Sequence, residues 1–473
     1  MTFGAPTQIL AQSFFSNALR RAERLLEEAT VLADNEYRSD APRIVAVMIA
    51  AVAERALRGI REEWSEFCGG DQVGAVRNGQ VWDGLVRSAG SHLRFLHGAL
   101  AGRVPGALSR LLDTIVGELG LGAAVLLREK WNYNYSVYPV AVGEWYRQPL
   151  SGLLGAAELD QLFGQAGSVY CIGFPALERD NVLLHAAIAH EVGHLAVEKW
   201  LRANDDNSRT VIDELSAEAK RIHPGSSSAQ QDIELYQKRL LAMREMQRVR
   251  RRFLQEYGAD AFAVELFGPS AVFAMTSIAI SQGIDAPANA RTGYPAWRDR
   301  LQLALRWLSE SEVGETWRPL PQGEIAARVE AQLVELDQLL ANSSATVNPV
   351  IAAAEKSAQR ALQQLRRHIV SLVRNKQLGP NEISAQAYVL TARLAAHVPP
   401  NDVGSNQLAP EPPSLPAIMN AAWYYVIGVD GEHDLANGLP SGMIISRLNR
   451  LVLKALDDVV LLRDFARFRR EVK

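Results

Sequence analysis

The sequence predicts an α+β fold that is predominantly α-helical, with a small sheet in its middle third and helical regions on both sides. Three observations carry this expectation. Apolar residues recur at helical spacing before about residue 118 and again beyond residue 310. Short runs of β-branched and aromatic residues gather between Ala123 and Gly173. A composition of 48% apolar and 22% charged residues over 473 positions suits a folded chain with a sizeable core. That length suggests about two to three domains. The pattern divides as 1–119, an N-terminal helical region; 120–310, a mixed core; and 311–473, a C-terminal helical region with a proline-rich loop at 399–416.

In chain order, Gln8 to Glu118 reads as helices broken at Gly69-Gly70 and between Gly102 and Gly106. Leu108, Leu111, Leu112, Ile115 and Val116 show the spacing of one buried helix face. Strand candidates follow at Ala123–Leu127, Tyr133–Tyr138 and Ser168–Gly173, the last closed by Phe174-Pro175. Asp180 stands at an N-cap position before a strongly apolar helix that runs from Val182 to about Trp200. Polar loops are expected at Asn204–Ser208 and His223–Ser228, and a long helix at Gln231–Phe267, ended by Gly268-Pro269. The C-terminal third predicts amphipathic helices at Ile325–Leu340 and Val350–Val373 and a last helix at Ile444–Arg470.

Composition also excludes classes of function. A net charge of −3 lacks the basic footprint of a nucleic-acid binder. No apolar run reaches the ~18 residues of a membrane-crossing helix; the nearest, Ile44–Ala53, meets Glu54, Arg55 and Arg58. Met1–Thr7 has no basic start followed by an apolar stretch, so a cytoplasmic location is expected. Cys68 and Cys171 are too few for a four-thiolate zinc site and are expected to be buried, reduced thiols.

The chemistry-bearing segment is His190-Glu191-Val192-Gly193-His194. On a helix this spacing puts both imidazoles on one face, where they can share one metal ion. Glu191 beside them can take a proton from a water that zinc acidifies toward a pKa of ~7. Gly193 costs ~1 kcal/mol relative to Ala inside a helix, so a close approach by a strand or another helix is expected there. A catalytic zinc takes three protein ligands, and the third must come from elsewhere. His185 points to a different helix face and reads as a core or hinge histidine. Glu256 is the better candidate. It lies four residues before Asp260 in an apolar setting, and Asp260 can accept the free ring N–H of a ligand histidine.

Paired with Glu256-Tyr257-Gly258-Ala259-Asp260-Ala261-Phe262-Ala263, the histidine segment resembles the gluzincin metallopeptidases, in the branch of the CAAX prenyl protease and the heat-shock membrane protease. The resemblance covers about residues 120 to 305 and implies a zincin-like metallopeptidase core, a Zn2+ cofactor held by His190, His194 and Glu256, and a protein or peptide substrate. It implies that an edge strand, here Val169, Tyr170, Cys171, Ile172 and Gly173, pairs with the substrate backbone. It also matches a family arginine to Arg300, in Tyr294-Pro295-Ala296-Trp297-Arg298-Asp299-Arg300. Tyr294 stands where the family has histidine; Tyr294 or Arg300 is expected to help zinc stabilise the oxyanion, with His223 as a second candidate for the histidine's role. The branch's well-known members span membranes and this chain shows no span. The expected function is therefore a zinc-dependent endopeptidase acting on soluble proteins, with helical flanks able to bind protein partners. The alternative is a regulatory or interaction protein whose peptidase core is latent or inactive.

Overall fold

The computed structural model describes residues 8–140, 146–148, 150–163, 168–204, 209–225, 229–288, 291–310, 315–318, 320, 323–341, 348–375, 378–404, 412–428 and 441–471. The expected polar loops at 204–208 and 223–228 and the proline-rich loop thus lie partly outside the described residues. The chain is predominantly helical with one small three-stranded sheet. It divides into two compact units, residues 1–179 and 180–473.

In the first unit, helices α1 (Gln8–Ala33), α2 (Ala41–Gly69), α3 (Gln72–Gly98) and α4 (Gly106–Glu118) precede strand β1 (Ala123–Lys130). Strand β2 (Ser136–Pro139), helix α5 (Ala156–Phe163) and strand β3 (Ser168–Pro175) complete it. The apolar stripes that predicted these helices converge on one core, in which Phe15, Ile49, Ile60 and Trp82 meet Leu126 and Cys171 of the sheet. Cys171 is buried as expected and its thiol is pushed up to about 11 by burial. Cys68, in the last turn of α2, is exposed, which corrects the expectation of a buried thiol.

The sheet corrects a second expectation. Its order is β1-β3-β2, so β3 is the central strand, parallel to β1 and antiparallel to β2. Tyr170 to Gly173 face partners on both sides: Tyr170 pairs with Val125 and Pro139, and Gly173 with Arg128 and Ser136. The carbonyl of Val169 accepts from Val140 N. A strand paired along both edges has no free row of N–H and C=O groups to offer a substrate backbone. Val169–Gly173 therefore cannot be the substrate-pairing edge.

The second unit is all helical among the described residues. It comprises α6 (Val182–His185), α7 (Ile188–Asn204), α8 (Arg209–Ile222), α9 (Ala229–Phe267), α10 (Pro269–Gln282), α11 (Trp297–Ser309), α12 (Glu324–Ala341), α13 (Pro349–Arg374), α14 (Pro380–Ala395), α15 (Leu415–Gly428) and α16 (Ser441–Glu471). The long α9 is its axis, with α7, α11 and α13 packed along it. The stripe Ile351, Ala354, Ala358, Leu362, Leu365, Ile369, Val373 is the buried face of α13, as its periodicity predicted. The single helix expected from Val182 to Trp200 is instead two, broken at Ala186-Ala187. The N-cap position falls on Asn181 rather than Asp180, and the backbone N–H of Val182 donates to the Asp180 carbonyl at 3.1 Å and to the Asn449 side chain of α16 at 3.2 Å. Among the described residues no helix is long and apolar enough to cross a membrane.

Candidate metal centre

The site is built where α7 crosses α9. Gly193 makes the crossing close: a Cβ there would lie 2.9 Å from Ala259 Cα and 2.9 Å from Phe262 Cβ. The close approach expected at Gly193 is thus made by a helix. One turn further along α7, Glu198 ties the pair together, accepting from Arg251 Nη2 at 2.8 Å and from Gln255 Nε2 at 3.2 Å.

This crossing brings His190 and His194 of α7 against Glu256 of α9, with one ligand atom from each lying within 4.8 Å of the others. His190 Nε2 is 3.4 Å from Glu256 Oε2, and His194 Nε2 is 3.9 Å from Glu256 Oε1. The two rings meet edge to face, centroids 4.7 Å apart. Asp260, one turn after Glu256 and fully buried, lies 2.7 Å from His190 Nδ1. That contact places a proton on Nδ1 and turns Nε2 toward Glu256, the orientation in which a metal could replace the proton that the charged ring carries on Nε2.

Arg300 of α11 closes the buried side. Its Nε and Nη2 donate to both oxygens of Asp260 at 2.8 and 2.7 Å, and its Nη1 lies 3.2 Å from Glu256 Oε2. The guanidinium also stacks 4.1 Å from the Trp297 ring. Arg300 therefore positions the carboxylates, and is not free to serve an oxyanion as the sequence reading had it.

Burial and charge pull the titrations apart. Burial would lower His190, but the Asp260 charge and hydrogen bond, aided by Glu256, raise it to about 9. Burial, then the His190 charge, lower His194 to about 3, so its lone pair is free. Burial would raise Glu256 and Asp260, yet the Arg300 charge holds both below the usual carboxylate range. Glu191 is buried beside the two histidines in sequence, and its charge acts on Arg300.

The donor set fits a metal ion. Two imidazole nitrogens and one carboxylate oxygen are the ligand chemistry of a catalytic zinc with an open position. Oε1 of Glu256 is buried and accepts no hydrogen bond; Arg252 Nη2 lies 3.0 Å away without the geometry of one. A charged acceptor left without a hydrogen bond suits coordination.

The remaining sequence candidates stand outside the three-donor group. His185 is fully buried in α6 and outside the three-donor group, as a core histidine should be. His223 follows α8; its carbonyl accepts from Arg239, and its ring is not part of that group. Tyr294 is exposed and its hydroxyl accepts from Arg252 Nη2. Val169–Gly173 belongs to the other compact unit. Sequence reasoning missed Arg252, although its spacing of four residues from Glu256 marks a shared helix face. No protein-family model matches the chain, and comparison with curated proteins and with solved structures likewise finds no match.

Proposed function

We propose that the chain is a zinc-dependent endopeptidase with a zincin-like core, in which His190, His194 and Glu256 hold the metal. The observation that carries this reading is the convergence of those three donors, with Asp260 lying 2.7 Å from the His190 ring. When bound, zinc supplies Lewis acidity toward a peptide carbonyl and acidifies a water. The chain's own residues do the rest. Glu191 accepts the water's proton and delivers it to the leaving amine. Asp260, bonded to Arg300 and in contact with His190 Nδ1, holds the His190 ring, and the Arg300–Glu256 ion pair holds the carboxylate. Low exposure of His190, Glu191 and Glu256 keeps these charges in a poorly screened setting, where their interactions are strong.

The test is Glu191→Gln in the full chain. The variant is expected to keep its zinc, measured by elemental mass spectrometry, and to lose cleavage of an unfolded protein. Removing one catalytic proton-transfer group typically costs ~10²–10⁴-fold. An active Glu191→Gln protein would sink the assignment. A wild-type chain that carries zinc but cleaves nothing would favour the interaction-protein reading.

A further inference from the structure

A polar cavity of about 630 Å³ is lined by α11 and α13, with Tyr257 of α9 in its wall. That volume suits a small organic ligand. None of the three metal donors lines it.

The cavity carries opposite charges toward its two ends. At one end stand Asp299 of α11 and Glu355 of α13, and neither makes an ion pair with a described residue. Glu355 accepts only from the Tyr257 hydroxyl, at 3.4 Å. Burial pushes both carboxyls up, and the Asp299 charge pushes Glu355 up further. Arg298, the cation that eases Asp299, is committed to Asp285 and to the Leu339 carbonyl. Among the described residues, His190, His194 and Glu256 are the one group of three donors close enough to hold a metal ion. The cavity carboxylates therefore call for a larger cation, such as an ammonium group.

At the other end, Arg306 is exposed and makes no ion pair with a described residue. Trp307 beside it is only 4% exposed, and its indole N–H donates to no described residue. Arg366 and Glu310 lie here too, but they pair with each other at 3.2 Å. What remains is a guanidinium and an N–H, both donors that fit an anionic acceptor.

Asp299 and Arg306 are seven residues apart on α11. Seven residues make two turns, so the two share a helix face and lie about 10.5 Å apart along the axis. Three extended peptide residues span about 10 Å. A peptide of that length with free ends presents an ammonium and a carboxylate at the same separation.

We propose that this cavity binds a short peptide of about three residues with both ends free, its ammonium between Asp299 and Glu355 and its carboxylate on Arg306 and the Trp307 N–H. The inference stands on the cavity and does not rest on the peptidase reading.

The test is a calorimetric titration of the full chain carrying Glu191→Gln, so that no probe is hydrolysed at the metal centre. The probes are tri-alanine, its N-acetyl form and its C-terminal amide. Blocking either end is expected to weaken tri-alanine about tenfold or more, the loss of one charge-assisted contact. Arg306→Met, at an exposed position, is expected to cost tri-alanine about tenfold while leaving the amide, which has no carboxylate to lose, within about threefold. Glu355→Gln is expected to weaken tri-alanine and the amide about tenfold while leaving the N-acetyl form within about threefold. Tri-alanine that does not bind, or that binds no more tightly than its blocked forms, overturns the proposal. Binding that survives both Arg306→Met and Glu355→Gln places the peptide elsewhere and overturns it too. An equal loss for all three probes would make these residues supports of the fold only, and would likewise overturn it.

Discussion

A carboxylate taken fully out of water costs several kcal/mol unless hydrogen bonds and an opposite charge offset the loss. Asp260 has both, from the two Arg300 donors and the His190 ring N–H. The same contacts orient His190, so Asp260 should matter to the metal rather than to the fold alone. Asp260→Asn is expected to weaken zinc by ~10–100-fold in a chelator competition, the usual effect of losing such a support. An unchanged zinc affinity would remove Asp260 from the site. This part of the centre was legible in the sequence, because the spacings 190–194 and 256–260 each fix a helix face. The Arg300 contacts were half legible: the residue was found, but whether it faces the ligands or the substrate depends on how α11 lies against α9. Arg252 went unread because its partner Tyr294 arrives on a segment with Gly293 at φ +76, a path that periodicity does not describe.

Elements meet here through backbone proximity. At Gly193 two effects oppose each other. In an isolated helix, Ala in place of Gly gains ~1 kcal/mol. At this crossing the added methyl group meets Ala259 Cα and its carbonyl oxygen at 2.9 and 3.0 Å, backbone atoms that cannot swing aside. Overpacking of this kind costs ~1–3 kcal/mol and outweighs the gain. Gly193→Ala is therefore expected to lower the unfolding midpoint and to weaken zinc by displacing His190 and His194 from Glu256. A stabilised variant with full zinc affinity would show that the helices are free to part. The misplaced strand had a readable signal. Val169, Cys171, Ile172 and Phe174 are all buried, so both faces of β3 are covered, and a nearly continuous apolar run suits a central strand better than an edge. The break at Ala186-Ala187 had no such signal, since alanine is the strongest helix former; the Asn449 hydrogen bond that holds Val182 comes from the far end of the chain.

At the scale of the molecule, the sequence reading put sheet and metal ligands in one core at 120–310, whereas the compact units divide at Arg179 and Asp180. The sheet packs with the N-terminal helices, and the C-terminal helix α13 packs along α9. Periodicity shows that each helix has an apolar face but not which partner covers it. The segment Glu178-Arg179-Asp180-Asn181 also carries no proline or glycine punctuation to mark a boundary. What was legible was the predominance of helix, the three strands and the faces that carry the donors. All three donors, with Glu191, Asp260, Arg300, Arg252 and Tyr294, lie in residues 180–473. The most direct test of the whole account is a zinc titration of the metal-free full chain, following cleavage of an unfolded protein. Cleavage is expected to rise with zinc until a single equivalent is bound, to vanish on adding chelator, and to be absent in Glu256→Ala at the same zinc concentration. A chain that takes up no zinc, or cleavage that survives both chelator and Glu256→Ala, would contradict it.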